Sequence, residues 1–203
     1  MRQFNPPREA GFSFLPCVVL TGNGKRIEMN MTRPDTSGNK ATLHLMCGKM
    51  AAGKSTLSRK LALEHGAVLI CEDLWLSRLY LDSISSFDDY FRCAARLKTV
   101  VAPHVTDLLR KGISVVLDFP GNTPGQRAWF RELFEAAQAE HVLHFVDRPD
   151  AHCKTQLQKR NREMPEGSKP MTEAEFDYIT GYFTAPGEEE GFHVLRYPPP
   201  EAG

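Results

Sequence analysis

The stretch Gly48-Lys49-Met50-Ala51-Ala52-Gly53-Lys54-Ser55-Thr56, GKMAAGKST, decides how the rest of the chain is read. It follows the apolar run Thr42 to Cys47 and leads into Ser55 to His65, a segment with helical spacing that stops at Gly66. An apolar strand, a glycine-bounded loop ending in Gly-Lys-Ser and a helix, in that order, build a cradle for phosphate. Gly48 and Gly53 let the backbone turn successive N–H groups inward, and the helix N-terminus adds partial positive charge. In such a cradle Lys54 reaches the β- and γ-phosphates of a nucleotide as a point charge, and the Ser55 hydroxyl ligates magnesium. The expected nucleotide-contacting set is Gly48, Lys49, Ala51, Ala52, Gly53, Lys54, Ser55 and Thr56.

Outward from this loop, short apolar runs alternate with longer helical periods, the pattern of an α/β fold with a parallel sheet flanked by helices. Strands are predicted at Thr42 to Cys47, Ala67 to Cys71, Ile113 to Asp118, Val142 to Val146 and Phe192 to Arg196. Phe87, Tyr90, Phe91, Ala94, Leu97 and Val101 recur at steps that give one apolar helical face, which Pro103 should kink or restart before Gly112 closes it. Thr123-Pro124-Gly125-Gln126 combines a capping box with proline at the first helical position, and Thr172 to Glu175 is a second capping box.

Three further features carry chemistry. Asp118 ends an apolar strand, on the sheet edge where ligands of open α/β folds bind, and is placed to hold magnesium, with a turn-capping role as the structural alternative. Glu72-Asp73 follows the second strand on the same edge. Consecutive residues there diverge, and Asp73 is the one expected to face the phosphates and accept a proton from an attacking hydroxyl; the alternative is an N-cap for a helix beginning near Leu74. Lys154, Lys159, Arg160 and Arg162 lie on a helix after the fourth strand, followed by Met164 to Pro170. A lid around 150–170 is expected there, with Arg160 first and Arg162 second as the residue that neutralises a transferring phosphoryl group. Arg78 and Arg127 can touch substrate anions or pair with surface acids. The histidines show no metal-ligand spacing.

Composition bounds the alternatives. The 203 residues carry 25 basic and 25 acidic side chains, so no global field recruits long nucleic acid or an anionic membrane surface. No apolar run approaches the about 18 residues that span a bilayer. Five cysteines, two of them ending strand-like runs, read as free thiols in a reducing cytoplasm rather than as a framework of bridges. Residues 1–40 are rich in Pro, Gly, Asn and Arg with little periodicity and read as a poorly ordered N-terminal extension ahead of a domain over 41–203. A short hairpin at Thr21-Gly22-Asn23-Gly24 is the alternative.

With these parts placed, residues from about Ala41 to Tyr197 resemble the P-loop kinase-like proteins annotated with AAA domains, a group with polynucleotide-kinase-like, zeta-toxin-like and chloramphenicol-phosphotransferase-like members. The resemblance rests on GKMAAGKST, the acid in CEDLW, the strand VVLDFPGNTPGQRAWF, the segment VDRPDAHCKTQLQKRNRE and the closing FTAPGEEEGFHVL. It implies a three-layer P-loop NTPase fold with a five-stranded parallel sheet of order 2-3-1-4-5, and ATP with Mg²⁺ at the loop. It further implies that Lys54 and Ser55 take the loop roles, Asp73 that of the acid near the acceptor, Arg160 that of the lid arginine and Arg127 that of the arginine after the third strand. Asp118 departs from the pattern in being followed by Phe-Pro-Gly-Asn, and the sensor-bearing helical domain of ring-forming AAA machines is missing. The expected activity is transfer of the ATP γ-phosphate to a hydroxyl of a small molecule or nucleotide, by a monomer or dimer that binds no membrane. A regulatory ATP-binding protein without an acceptor, and a toxin- or resistance-type phosphotransferase, are the competing expectations.

Overall fold

The computed structural model describes residues 18–20, 26–28, 40–80, 83–166 and 168–199. The chain divides into two compact units, Met1–Gly38 and Asn39–Gly203. In the first, strands Val18–Leu20 and Arg26–Glu28 pair antiparallel, with Val19 opposite Ile27. The Thr21-Gly22-Asn23-Gly24 turn, and most of the extension expected to be poorly ordered, lie outside the described residues.

In the second unit β1 (Thr42–Cys47), β2 (Val68–Cys71), β3 (Val115–Asp118), β4 (Glu140–Val146) and β5 (Val194–Tyr197) form one sheet. All neighbours are parallel and the order across the sheet is 2-3-1-4-5. The central strands are nearly continuous apolar runs because helices cover both faces, whereas the outer β2 and β5 keep exposed positions. The register Leu45 opposite Leu117, Cys71 opposite Asp118 and Val146 opposite Tyr197 brings the C-terminal ends of all five strands to one edge.

β1 has the predicted limits, and the other four strands differ from the sequence reading by one to two residues at one or both ends. Ile113 stays outside β3 at 37% exposure, while Ser114 bridges strands instead, its Oγ accepting from the Thr42 N–H at 3.1 Å. Phe192 falls outside β5 and packs edge-on against Phe134 and His141.

The helices are α1 (Lys54–Glu64), α2 (Glu72–Leu79), α3 (Phe87–Arg110), α4 (Pro124–Ala137), α5 (Asp150–Glu163) and α6 (Glu173–Thr180), with a 3-10 turn at Glu188–Glu190. Both predicted capping boxes form, at Thr123/Gln126 and at Thr172/Glu175. Gly66 (φ 58°) and Gly112 (φ 77°) take the left-handed conformation that terminates α1 and α3.

Two helical expectations need correction. Pro103 does not restart α3, which is a single helix: Val101 and Val105 on either side of it are fully buried, and this packing outweighs one lost hydrogen bond. The second helix begins at Glu72 rather than near Leu74, with Cys71 at the N-cap position, so neither Glu72 nor Asp73 is a cap; both lie in the first turn, where a carboxylate meets the positive end of the helix.

The main core joins β1, β3 and β4 to α3 and α4 through residues such as Leu43, Leu45, Val101, Leu117 and Phe130. On the other face Met46, Val116 and Leu61 pack β1 and β3 against α1. Among the described residues no helix is long and apolar enough to cross a membrane, and Cys47, Cys71, Cys93 and Cys153 are all free thiols.

Candidate active site

The loop between β1 and α1 closes tightly against its neighbours. Gly48 has φ 141°, and a Cβ there would lie 2.4 Å from the Val146 carbonyl oxygen, so only glycine lets the loop leave the sheet beside β4. The Gly48 N–H donates to Asn122 Oδ1 at 3.0 Å, which ties the loop to the turn after β3. Gly53 (φ 102°) and Ala51 (φ 56°) both take the left-handed conformation; the strain at Ala51, a residue with a Cβ, is of a kind that accumulates at functional sites. Lys54 Nζ donates to the carbonyls of Gly48 at 2.7 Å and Lys49 at 2.8 Å, so the loop curls around the ammonium. Burial pushes the Lys54 pKa down, against the opposing pull of Asp118, Cys47 and Asp73. α1 has no side-chain cap and no acidic residue in its first turn, leaving its electropositive end to an anion. Ser55 and Thr56 lie in that turn.

The rest of the expected set divides. Ala52 is buried in a cluster with Val146, Cys153, Leu157 and Phe176, and so packs the loop against α5 and α6. The Lys49 ammonium pairs with Asp150 at the start of α5, and its side chain lies over the Phe183 ring at 5.9 Å. Both bind the loop to its surroundings, whatever backbone contacts they also make.

Asp118 and the Glu72-Asp73 pair reach the same edge from β3 and β2. Asp118 Oδ2 accepts a weak bond from Cys71 Sγ at 3.7 Å. Glu72 and Asp73 diverge as the sequence suggested. Glu72 points inward at 2% exposure, where Oε2 accepts from the Tyr90 hydroxyl at 2.7 Å and Oε1 has no partner; burial pushes its pKa up to about 7, opposed by the Tyr90 bond and the Lys98 charge. Asp73 is exposed at the strand ends. Desolvation by the surrounding protein first and the Asp118 charge second raise its pKa, while Arg160 and Lys54 pull it down.

Arg160 comes from α5. It is half-buried, its Nε has no hydrogen-bond partner, and its pKa is lowered by burial and raised by the Asp73 charge. Arg162 is exposed. Lys159 pairs within its own helix to Glu163 at 3.8 Å, and Lys154 holds α6 through Asp177 at 2.8 Å. Of the four basic residues, Arg160 is the one in electrostatic contact with Asp73. Lys54, Asp73, Asp118 and Arg160 thus converge on one volume above the sheet edge.

The two remaining arginines do not join them. Arg127 is fully buried, and its guanidinium is engaged at every turn: Nε and Nη2 on Glu190 at 2.6 and 2.7 Å, Nη1 on the carbonyls of Gly121 at 3.0 Å and Thr184 at 2.9 Å. The expectation that Arg127 touches substrate is therefore corrected, because it pins the 184–190 segment to α4 and to the turn after β3. Arg78 is exposed and donates Nε and Nη2 to Glu166 Oε1 at 3.0 and 2.7 Å, linking α2 to the segment after α5.

For magnesium the donor set fits: the Ser55 hydroxyl and the Asp118 carboxylate are both hard oxygen ligands. Among the described residues no three His, Cys, Asp or Glu side chains converge on a metal position. The cation would then be held by these two groups together with phosphate oxygens and water.

Fold and site together define a P-loop kinase-like α/β protein. The chain belongs to the AAA_33 family, described as AAA domain, whose model matches residues 43–186. Among solved structures, it is similar to a Chloroflexus aurantiacus protein assigned as a kinase, at a TM-score of 0.63 and 17% identity over 79% of this chain and 89% of that one. It is also similar to the Mycobacterium tuberculosis APS kinase CysC in complex with AMPPNP and APS, at a TM-score of 0.54 and 20% identity over 81% and 91%. Chaetomium thermophilum Kti12 in complex with ADP-AlF3 gives 0.54 and 16% over 76% and 89%. No curated protein matches the sequence. At these identities the likeness is one of fold.

The sequence reading missed Glu72 as the buried partner of Tyr90, Asn122 as the anchor of Gly48, and Asp150 as the counter-ion of Lys49. The first was legible in part, since of two adjacent acids one had to turn inward. The others depend on contacts between residues 74 and 101 positions apart, which no local pattern carries.

Proposed function

We propose that this protein is a kinase that transfers the γ-phosphate of ATP to a hydroxyl of a small molecule or nucleotide. The observation that carries the reading is the electrostatic contact of Asp73 with Asp118, Arg160 and Lys54 at the strand ends beside the phosphate loop. Asp73 is the general base: its raised pKa brings it nearer to the proton it must accept, and its exposure lets an acceptor hydroxyl approach. Lys54 and the N-terminus of α1 hold the β- and γ-phosphates. Arg160 neutralises charge on the transferring group, a role that suits a guanidinium with an unpartnered, desolvated N–H. Ser55 and Asp118 would hold magnesium, which would neutralise phosphate charge when bound.

The α5–α6 segment acts as the lid. Its hydrophobic cluster includes Ala52 of the loop, and Arg78–Glu166 and Lys169 on the Ile84 carbonyl tie it to the α2 side. The nucleotide complexes of two structural neighbours support ATP as the donor. The acceptor is small, because the balanced charge offers no track for a polymer, and the free thiols suit a cytoplasmic protein.

Nucleotide binding and transfer separate in two substitutions. Lys54→Ala is expected to weaken ATP binding by about tenfold or more and to abolish ATP consumption, since one charge-assisted contact is worth about 1.5–3 kcal/mol. Asp73→Asn is expected to keep ATP binding and lower acceptor-dependent turnover by about 10² to 10⁴. Calorimetric titration and a coupled ADP assay measure both. Equal loss of binding in both variants, or unchanged turnover in Asp73→Asn, would overturn the assignment of the base.

A further inference from the structure

A cleft of about 460 Å³ opens on the α1 side of the loop, bordered by Gly53, Thr56 and Leu57 on one wall and by Val146, His152 and Tyr197 on the other. Tyr197 ends β5 beside Val146. Its hydroxyl shares a 2.8 Å hydrogen bond with His144 Nδ1, and His144 Nε2 shares one of 3.0 Å with His44 Nδ1. The His44 ring in turn stacks on that of His65 at 4.7 Å. His44 and His144 are 5% and 2% exposed, so the chain of rings runs through the interior between β1, β4 and β5. Arg148 Nη1 fixes the same residue from the other side by donating to the Tyr197 carbonyl at 2.8 Å.

Either tautomer arrangement along His44–His144 keeps the Tyr197 hydroxyl bonded, as donor or as acceptor. Burial pushes both imidazoles down to about 4, with His65 as a further cause at His44 and with His44, His65 and His193 at His144, so at neutral pH the pair carries no charge and the chain stays intact. No step of phosphate transfer uses these histidines. What they do is hold one phenol hydroxyl, through His144 directly and His44 behind it, at the border of a cleft that begins at the loop.

We propose that the buried His44–His144–Tyr197 chain sets the base-selective wall of this cleft, where a purine lies against the Tyr197 ring. This rests on the nucleotide reading of the loop. Leu57 and Val146 supply apolar surface in its lining, and a two-ring base covers more of the Tyr197 face than a pyrimidine does, in the way that base stacking on aromatic side chains binds by area. Tyr197 is the contact residue; His144 and His44 are positioning residues that act through it.

The test titrates the full chain with ATP, CTP and inorganic tripolyphosphate, the last engaging the loop alone. The wild type is expected to bind ATP about tenfold tighter than either of the others. Tyr197→Ala should bring ATP to the tripolyphosphate level while leaving tripolyphosphate unchanged. Tyr197→Phe and His144→Leu should each weaken ATP a few-fold, the double variant no further, and His144→Gln, which keeps a hydrogen-bonding side chain, should recover most of the loss. Melting temperatures recorded alongside identify a variant that merely misfolds. An ATP-to-CTP ratio unmoved by Tyr197→Ala, or a His144→Leu variant with lower melting temperature and an intact ratio, overturns the proposal. If neither ATP nor tripolyphosphate binds the wild type, the nucleotide reading fails and this inference with it. If both bind alike, only this inference fails.

Discussion

Gly48 carries two constraints at once: a φ that disfavours a side chain, and a carbonyl oxygen 2.4 Å from where its Cβ would sit. Gly48→Ala should therefore cost about 2–4 kcal/mol in stability and shift the loop away from β4, both read by urea denaturation with parallel ATP titration. Gly53, with nothing near its absent Cβ, should tolerate alanine better despite its φ of 102°. The paired acids give a second prediction. Glu72 ionises at its ordinary value, 4.5, in the unfolded chain and at about 7 in the native protein. Between those values the native state holds the extra proton, so this group's contribution to stability falls as pH rises through the window and levels off above it. Glu72→Gln, which keeps an acceptor for Tyr90, should be more stable than the wild type at pH 8 by about 1–3 kcal/mol and nearly equal at pH 4. Denaturation curves at the two pH values check this, and a constant difference at both would refute it. Residue identities at the loop were legible because glycine, lysine and serine at fixed spacing have one physical use there. The inward turn of Glu72 and the burial of Arg127 were not, since an arginine bonded on all sides and an arginine facing a ligand look the same in sequence.

At the scale of elements, the segment after α6 is held by a buried ion pair rather than by regular structure. Thr184 to Glu190 has little secondary structure beyond one 3-10 turn, yet Arg127 binds it at two points and the Thr184 N–H donates to the Asn122 carbonyl at 2.9 Å. Asn122 also holds Gly48, so the phosphate loop, the turn after β3 and this segment form one linked unit. The Phe-Pro-Gly-Asn after Asp118 serves it: Phe119 is buried, a Cβ on Gly121 would lie 2.6 Å from the Met46 carbonyl oxygen, and Asn122 makes both bonds. Arg127→Met should destabilise by about 3–5 kcal/mol, because it leaves Glu190 without its partner, and Arg127→Met with Glu190→Gln should recover part of that loss. Thermal denaturation of the three proteins measures it; a neutral Arg127→Met would show that the pair does not hold the segment. Elements were legible where side chains cap or punctuate them, as at Thr123, Thr172, Gly66 and Gly112. They were misjudged where packing overrode local preference, as at Pro103 in α3.

For the molecule as a whole, the order 2-3-1-4-5 places β1 and its loop between the strand ends that carry Asp118 and Asp73 on one side and β4, which leads into α5, on the other. This topology is what lets four short segments, scattered from residue 48 to residue 160, meet over one edge. The alternation of strands and helices, and the edge on which the acids lie, could be read from the sequence; the sheet order came from the family resemblance, and the meeting of Asp73 with Arg160 required the fold. The acceptor of the proposed transfer would not be encoded in the same way, because the segments after β2 and β3 are shaped by contacts such as Tyr90 to Glu72. The most direct test of the account is ATP turnover measured by ADP release, with and without a panel of small hydroxyl compounds, followed by mass analysis of the panel. Slow turnover in buffer alone, stimulation by one or a few compounds that gain the mass of one phosphoryl group, and loss of that stimulation in Asp73→Asn are the predicted results. Rapid hydrolysis without any acceptor, unaffected by the panel and by Asp73→Asn, would contradict it.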